Sequence, residues 1–348
     1  MAEFDWSTTL QTLIERGSID RARARAAMTE IMEGRATDAQ IAAFVVALRA
    51  KGETAEEMTG MVEAMMDAAV TVEISRPVVD LVGTGGDRAG TFNISTTAAF
   101  VAAGAGAVVA KHGNRAVSSR AGSADVLEAL GVVVDLEPEA AVELVERTGF
   151  GFFFAPRYHP AMRHAARVRR ELGIRSVFNF LGPLCNPAGA ERMAVGTSDP
   201  AMAELMIRVL AERGVDYGFV FYGEDGLDEL TTTGPSFIYR LRDGEITHAE
   251  FTPEDFGVAR SSLEALVGGD AEENAAITRA VLAGERGPRR DVVLVNATPA
   301  IVAAGLAEGF VPAMDLAAES IDSGAAAEVL ARVVEESRRL ADGPERLR

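Results

Sequence analysis

The sequence contains one cysteine, one tryptophan and four histidines among 348 residues, and each scarcity removes a class of chemistry. Cys185 stands alone and cannot close an internal disulfide. Neither zinc-ligand spacing nor a nucleophile motif surrounds it, so it reads as a small buried hydrophobe. Four histidines without a pair at i, i+4 leave little material for a zinc site. No stretch approaches the roughly 20 apolar residues that a membrane span needs, so no membrane partner is expected. Met1–Leu10 carries Glu3 and Asp5 without a basic flank or an apolar run and does not read as a secretory signal, which makes a cytoplasmic location the expectation. Basic charge is scarce as well: 34 Lys and Arg face 52 Asp and Glu, a formal net charge of −18. Nucleic-acid backbones are gripped by basic patches that release counterions, so no nucleic-acid partner is expected. A polyanionic small ligand would need cations gathered locally, or a metal ion.

What is present is ordinary globular material, with 48% hydrophobic and 25% charged residues. The length exceeds what one core sustains, and two compact units are expected. The first 70 residues show helical periodicity. Thr37 with Gln40, and Thr54 with Glu57, make two capping-box patterns ahead of apolar runs. The second run carries Met58, Met61, Val62, Met65 and Met66, a stripe suited to packing or to a subunit interface. From Pro77 the pattern changes to short apolar strands, Gly-rich turns and small-residue helices, as in a parallel α/β sheet. Val78–Val82, Ala107–Ala110 and Val132–Val134 are the expected strands, with helices over Thr96–Ala103 and Ser123–Leu130, the latter closed by Gly131. Ala201–Arg213 follows as a helix and Tyr217–Tyr222 as a strand. Asp243-Gly244 reads as a tight hairpin turn, and the last 80 residues as mainly helical. Without a long linker, any second domain must be assembled from segments that leave and re-enter the first.

Four stretches can carry chemistry, and one arginine beside them. Asp80-Leu81-Val82-Gly83-Thr84-Gly85-Gly86-Asp87 follows an apolar strand, and its glycines admit an anion close to backbone N–H groups, although a ligand-free tight turn would look the same. Asn93-Ile94-Ser95-Thr96 precedes an Ala-rich helix, where Ser95 and Thr96 either cap the helix or offer hydroxyls to phosphate or metal. Lys111-His112-Gly113-Asn114-Arg115-Ala116-Val117-Ser118-Ser119-Arg120-Ala121-Gly122-Ser123 gathers four potentially cationic side chains, three serines and two glycines beyond a strand; basic loops are usually just solvated, but a local inversion of sign at a strand end of a parallel sheet favours an anion site. Asp228-Glu229, in a turn after a strand, suits magnesium or is a solvated acidic pair. Arg169, on a basic helix that ends at Gly173, can fork onto a carboxylate or remain on the surface.

Taken together the motifs resemble the anthranilate phosphoribosyltransferase family. The carriers are GTGGD at Gly83–Asp87, Asn93–Thr96, KHGNRAVSS at Lys111–Ser119, GSAD at Gly122–Asp125, HPAM at His159–Met162, VRRELGIRSVFNFLGPLCNP at Val168–Pro187, and Asp228-Glu229. Ser176 stands where that family often has threonine. The resemblance implies a nucleoside phosphorylase/phosphoribosyltransferase-like two-domain α/β fold, with a smaller all-helical domain and a parallel-rich central sheet. The helical domain would comprise 1–72 and 161–188 and form a homodimer, and the α/β domain 73–160 and 189–348. It implies that 5-phosphoribosyl 1-pyrophosphate is surrounded by Gly83, Gly86, Asp87, Thr91, Asn93, Ile94, Ser95, Thr96, Lys111, His112, Gly113, Asn114, Arg115, Ala116, Val117, Ser118, Ser119 and Ser123. Magnesium would sit on Ser95, Asp228 and Glu229, and anthranilate on Gly83, Asn114 and Arg169, with no catalytic base assigned. Pyrimidine nucleoside phosphorylases share the architecture but match KHGN poorly. A nucleic-acid-binding relative is opposed by the acidic balance and by Asp228-Glu229.

Overall fold

Local caps decide where the first helices begin. In the computed structural model, which describes residues 4–116 and 120–342, α1 (Trp6–Ile14), α2 (Arg21–Met32), α3 (Asp38–Lys51) and α4 (Ala55–Asp67) form the amino-terminal layer. Asp5 and Asp20 accept N–H bonds at the starts of α1 and α2, and both expected capping boxes are formed at α3 and α4. Helix α2 lies so close to α4 that a Cβ on Gly60 would stand 2.2 Å from the Arg21 carbonyl oxygen. Met58, Met61 and Met65 are buried beneath this layer, which makes the stripe intrachain packing, and Met66 is partly buried beside them.

The sheet has seven strands in the order β3-β2-β1-β4-β5-β6-β7. They are β1 (Val79–Gly83), β2 (Val109–Gly113), β3 (Phe150–Phe154), β4 (Arg192–Gly196), β5 (Tyr217–Gly223), β6 (Ser236–Arg242) and β7 (Glu245–Phe251). The first five run parallel and the β6–β7 hairpin antiparallel, turning at Asp243-Gly244 as expected. Two expectations fail here. Val132–Val134 is not a strand, because its donors are already committed: Val132 N–H closes α6 (Ser123–Leu130) on the Leu127 carbonyl at 2.9 Å, and Val133 N–H donates to Ser337 Oγ at 3.1 Å. The third strand comes later, after α7 (Pro138–Thr148). Strand β2 also starts two residues late, since Ala107 N–H is taken by the Ala102 carbonyl at the close of α5 (Ile94–Gly104). Lys111, His112 and Gly113 therefore lie in a strand rather than in a loop.

The remaining helices are α8 (Ala155–Tyr158), α9 (Arg163–Leu172), α10 (Phe178–Leu181), α11 (Pro200–Glu212), α12 (Ala271–Leu282), α13 (Pro288–Ala303), α14 (Phe310–Asp322) and α15 (Ala325–Ala341). One apolar core joins α5–α7 and α12–α15 to one face of the sheet through Leu81, Phe150 and Phe219. A second joins α1–α4, α9, α10 and α11 to the other face through Met193, Val195 and Val220. Cys185 is buried in this second core, and burial pushes its thiol up to about 12. Among the described residues no helix is long and apolar enough to cross a membrane.

Candidate active site

The strand order reverses direction between β1 and β4. From β1 the chain steps out to β2 and β3, then returns to lay β4 on the opposite side of β1. In a parallel sheet the crevice beyond the carboxyl ends of two such strands is where ligands bind. Here both strands end in glycine, and Gly83 and Gly196 are register partners. The β5–β6 connection crosses directly over them. A Cβ on Gly83 would stand 2.3 Å from Asp228 Oδ2, and one on Gly196 only 1.9 Å from the Asp228 carbonyl oxygen. Behind this connection Leu230 N–H donates to Asn296 Oδ1, and Asn296 Nδ2 returns a bond to the Leu230 carbonyl, both at 2.8 Å. The glycines let the acidic segment approach, and α13 holds it there.

Asp228 and Glu229 are consequently buried rather than solvated. Asp228 Oδ2 accepts the Gly85 N–H at 2.6 Å, and Glu229 Oε1 accepts the Ser95 N–H at 3.1 Å, so one carboxylate is tied to the glycine turn and the other to the first turn of α5 (Ile94–Gly104). Burial, reinforced by the charge of Asp87, raises Asp228 to about 7 against the pull of the Gly85 N–H. Glu229 is raised well above its ordinary value by burial and by Asp228, opposed by Lys111. Lys111 is itself buried, its ammonium donating to the Leu81 carbonyl. Burial lowers its pKa, while Asp80, Glu229 and Asp228 raise it. Asp80 completes the cluster. It accepts Asn186 Nδ2 at 2.8 Å and the His112 N–H at 3.2 Å, and burial lifts it to about 6.

One ammonium among these carboxylates leaves the cluster short of positive charge. Its donor set is hard oxygen, which fits Mg²⁺. Among the described residues no three His, Cys, Asp or Glu side chains enclose a metal position. The fit is therefore to an ion that takes one or two protein carboxylates and completes its shell with ligand phosphates and water.

The helix that follows begins differently from expectation. Asn93 is the N-cap of α5, and Ile94, Ser95 and Thr96 lie within its first turn, so neither hydroxyl caps the helix. Asn93 instead ties neighbouring loops together, donating to the Ala121 carbonyl at 3.2 Å and accepting Asn274 Nδ2 at 2.9 Å. Thr96 Oγ1 is buried and has no hydrogen-bond partner among the described residues, an arrangement that costs stability unless a ligand completes it. Thr91 forms an isolated bridge with Val267.

The four potentially cationic side chains of the 111–120 stretch do not form one patch. Lys111 belongs to the buried cluster. His112 is buried, held neutral with a pKa near 3 chiefly by desolvation and next by His159, whose ring lies 5.1 Å away. Arg115 pairs with Glu128 at 2.7 Å and with Asp125 at 3.4 Å, and Arg120 reaches Glu273 at 3.7 Å. Asp125 Oδ2 also accepts the N–H groups of Ala116 and Gly122 at 2.9 and 2.8 Å, and Ser123 Oγ donates to the Asn114 carbonyl at 3.2 Å. Gly113 gives this loop room, since a Cβ there would stand 2.4 Å from Ser123 Oγ. Val117, Ser118 and Ser119 lie outside the described residues. Arg169 is half-buried on α9, over the Phe178 ring at 5.5 Å, and its guanidinium makes no hydrogen bond or ion pair among the described residues. Burial lowers its pKa, so a carboxylate partner would relieve a desolvated cation.

Sequence reasoning missed Asp80, Asn186 and Arg175. The signal for Asp80 was a carboxylate inside an otherwise apolar strand, which requires a buried partner. Arg175 bonds Ser198 Oγ at 2.6 Å and the Gly85 carbonyl at 3.0 Å, and nothing local to Gly173–Ser176 announces that reach.

Residues 75–327 match the glycosyl transferase family α/β domain, and residues 7–69 match the helical bundle domain of that family. The anthranilate phosphoribosyltransferase of Moorella thermoacetica is 56% identical over 317 residues, covering 91% of this chain and 94% of its own. That of Symbiobacterium thermophilum is 51% identical over 332 residues, covering 95% and 97%. Among solved structures, the anthranilate phosphoribosyltransferase of Thermus thermophilus superposes with a TM-score of 0.90 at 44% identity, covering 95% of this chain and 99% of that one. The Saccharomyces cerevisiae enzyme in complex with PRPP and Mg gives 0.88 at 26% identity, covering 97% and 99%.

Proposed function

The chain belongs to the anthranilate phosphoribosyltransferase family, and from that premise we propose that it transfers the phosphoribosyl group of 5-phosphoribosyl 1-pyrophosphate to the amine of anthranilate, giving N-(5-phosphoribosyl)anthranilate and pyrophosphate in tryptophan biosynthesis. The observation that carries this is the buried Lys111, Asp228 and Glu229 cluster laid over the Gly83–Gly86 turn at the reversal of the sheet. It is an oxygen-rich, cation-poor site whose carboxylates are tied by the Gly85 and Ser95 N–H groups to the glycine turn and the start of α5.

Within this proposal the donor is surrounded by Gly83, Gly86, Asp87, Thr91, Asn93, Ile94, Ser95, Thr96, Lys111–Ser119 and Ser123, and Ser95, Asp228 and Glu229 would hold Mg²⁺. The ion supplies charge neutralisation for the departing pyrophosphate. The C1–oxygen bond of the donor breaks with its electron pair leaving on pyrophosphate, the aromatic amine forms the new C1–N bond, and the amine proton is released. Positive charge grows on the ribose and negative charge on the leaving group, so preorganised N–H dipoles at the Gly83–Gly86 turn and at the start of α5 lower the barrier. The orphaned Thr96 hydroxyl gains a partner in a donor oxygen. Arg169 receives the anthranilate carboxylate in forked geometry, with Gly83 and Asn114 beside the ring, and positioning supplies much of the rate. An aryl amine is unprotonated near neutral pH, and no side chain is assigned as its base. The division into 1–72 with 161–188 and 73–160 with 189–348, a homodimer through the helical part and a cytoplasmic location belong to the same proposal.

The test is the fluorescence of anthranilate mixed with purified protein. Its loss is expected only when 5-phosphoribosyl 1-pyrophosphate and Mg²⁺ are both present, and to stop on chelation. No loss under those conditions overturns the assignment.

A further inference from the structure

The turn that presents Gly83–Asp87 is built from the residues least able to hold a shape. Gly85 and Gly86 sit at φ +69° and +78°, and beyond its chain neighbours no atom lies within 4 Å of where a Cβ on Gly85 would stand. Such a segment loses much conformational entropy on ordering, and something outside it must hold it. One support is Asp228, which accepts the Gly85 N–H at 2.6 Å. The other comes from 90 residues away: Arg175, between α9 and α10, donates from Nη2 to the Gly85 carbonyl at 3.0 Å and to Thr84 Oγ1 at 3.4 Å, and from Nη1 to Ser198 Oγ at 2.6 Å. Its guanidinium is sandwiched. The Phe180 ring lies 5.1 Å away, and a Cβ on Gly86 would meet the guanidinium carbon at 3.3 Å. Arg175 Nε is buried with no hydrogen-bond partner among the described residues, so the group keeps this pose with one donor unsatisfied.

We propose that Arg175 is a positioning residue for the donor half of the reaction, clamping the Thr84–Gly86 turn so that Gly85 N–H in turn holds Asp228 in place. The proposal rests on the transferase assignment above. Arg175 emerges from the segment that packs with the helical layer and joins the two loops that flank the crevice, after β1 through Thr84 and Gly85 and after β4 through Ser198. The next residue, Asp199, caps α11 and pairs with Arg49 of α3 at 3.3 Å, so the β4 loop is anchored to the helical layer a second time. Three acceptors served by one group between a ring and a glycine require a rigid fork, which lysine does not have.

The experiment compares the parent chain with Arg175→Lys, Arg175→Ala and Ser198→Ala. In Arg175→Lys the donor KM and the Mg²⁺ concentration for half-maximal rate are expected to rise about tenfold or more, with the anthranilate KM within about twofold. Arg175→Ala should shift both at least as far, and Ser198→Ala less. Amide hydrogen exchange is the second arm and needs no catalysis: residues 83–89 should exchange faster in Arg175→Lys while the rest of the sheet is unchanged. Failure of the parent to consume anthranilate would sink the transferase assignment and leave the exchange arm to decide the clamp. Unchanged exchange over 83–89, or equal rises in both KM values together with a lower melting temperature, would overturn the clamp.

Discussion

Gly196→Ala is the sharpest probe of how the acidic segment reaches the crevice, because it adds one methyl group and no charge. Gly196 is not among the residues with positive φ, so alanine brings no backbone strain and the effect is purely steric. The new Cβ would stand 1.9 Å from the Asp228 carbonyl oxygen and 2.7 Å from its carbonyl carbon, where ordinary contact begins at 3.4 Å. The Asp228 main chain must retreat by about 1.5 Å, against the two hydrogen bonds that lock Leu230 to Asn296. Overpacking of this kind costs roughly 1–3 kcal/mol of stability. Displacing a catalytic group by about 1 Å costs on the order of 100-fold in rate, or about 2.7 kcal/mol of transition-state stabilisation. Anthranilate fluorescence should therefore report kcat/KM about 100-fold below the parent, together with a higher Mg²⁺ requirement. Thermal melting should fall by no more than a few degrees. Gly309→Ala is the control, since no atom beyond its own stretch of chain lies within 4 Å of its Cβ position. Should Gly196→Ala retain kcat/KM within about twofold and the parent's Mg²⁺ dependence, the close approach of Asp228 to β4 is irrelevant to catalysis.

Arg169→Ala should lower anthranilate kcat/KM by roughly 1.5–3 kcal/mol, the range for a charged hydrogen-bonding pair, and leave the donor KM and the melting curve alone. An intact anthranilate kcat/KM would place the aromatic acid elsewhere. Asp228→Asn combined with Glu229→Gln should abolish turnover at limiting Mg²⁺ while stability holds or rises, because both carboxylates are buried at a cost in the folded chain. Near-normal turnover would return the pair to a structural role. His112 gives a pH signature: its folded pKa of about 3 lies below the unfolded value near 6.5. Between those values the unfolded chain binds a proton that the folded chain refuses. Stability from this group is thus complete above about pH 6.5 and declines toward pH 3, by up to about 1.4 kcal/mol per pH unit. His112→Gln should flatten that part of the slope of urea midpoint against pH, and parallel slopes would refute the assignment.

Features that a few neighbouring residues determine were legible in the sequence. The Thr37 and Thr54 capping boxes, the helix from Ser123 to Leu130 with left-handed Gly131 behind it, and the Asp243-Gly244 turn with φ of 51° and 80° all follow from local chemistry. Features set by distant partners were not. Val132–Val134 has strand composition, but its N–H groups go to α6 and α15. The true β3 was marked instead by Pro138 at the start of α7 and Gly149 at its end. At the site, the glycine turn, the acidic pair and the basic stretch were visible as residue types at strand ends. Invisible were the burial of Asp228 and Glu229, which depends on Gly83 and Gly196 together, and the engagement of Arg115 by Glu128 on the next helix. Charge counted along the chain overstated the cations facing the crevice, because pairing is a tertiary property.

The sharing of α11 between the helical layer and the sheet has a consequence for how the chain gains and loses its structure. Met202, Met206, Val209 and Leu210 are buried in the same core as Met28, Phe44 and Met61, on one side, and Val195 and Val220, on the other. Neither lobe seals this core by itself. Denaturation should proceed as one cooperative transition rather than as successive melting of two autonomous units. A fragment that begins after α4 would carry an open apolar floor beneath β4 and β5, and its fate in solution would be self-association. During synthesis the first four helices, complete at Asp67, must wait until Pro200–Glu212 has been made before α11 can cover them, which gives the nascent amino-terminal layer a long interval of exposure.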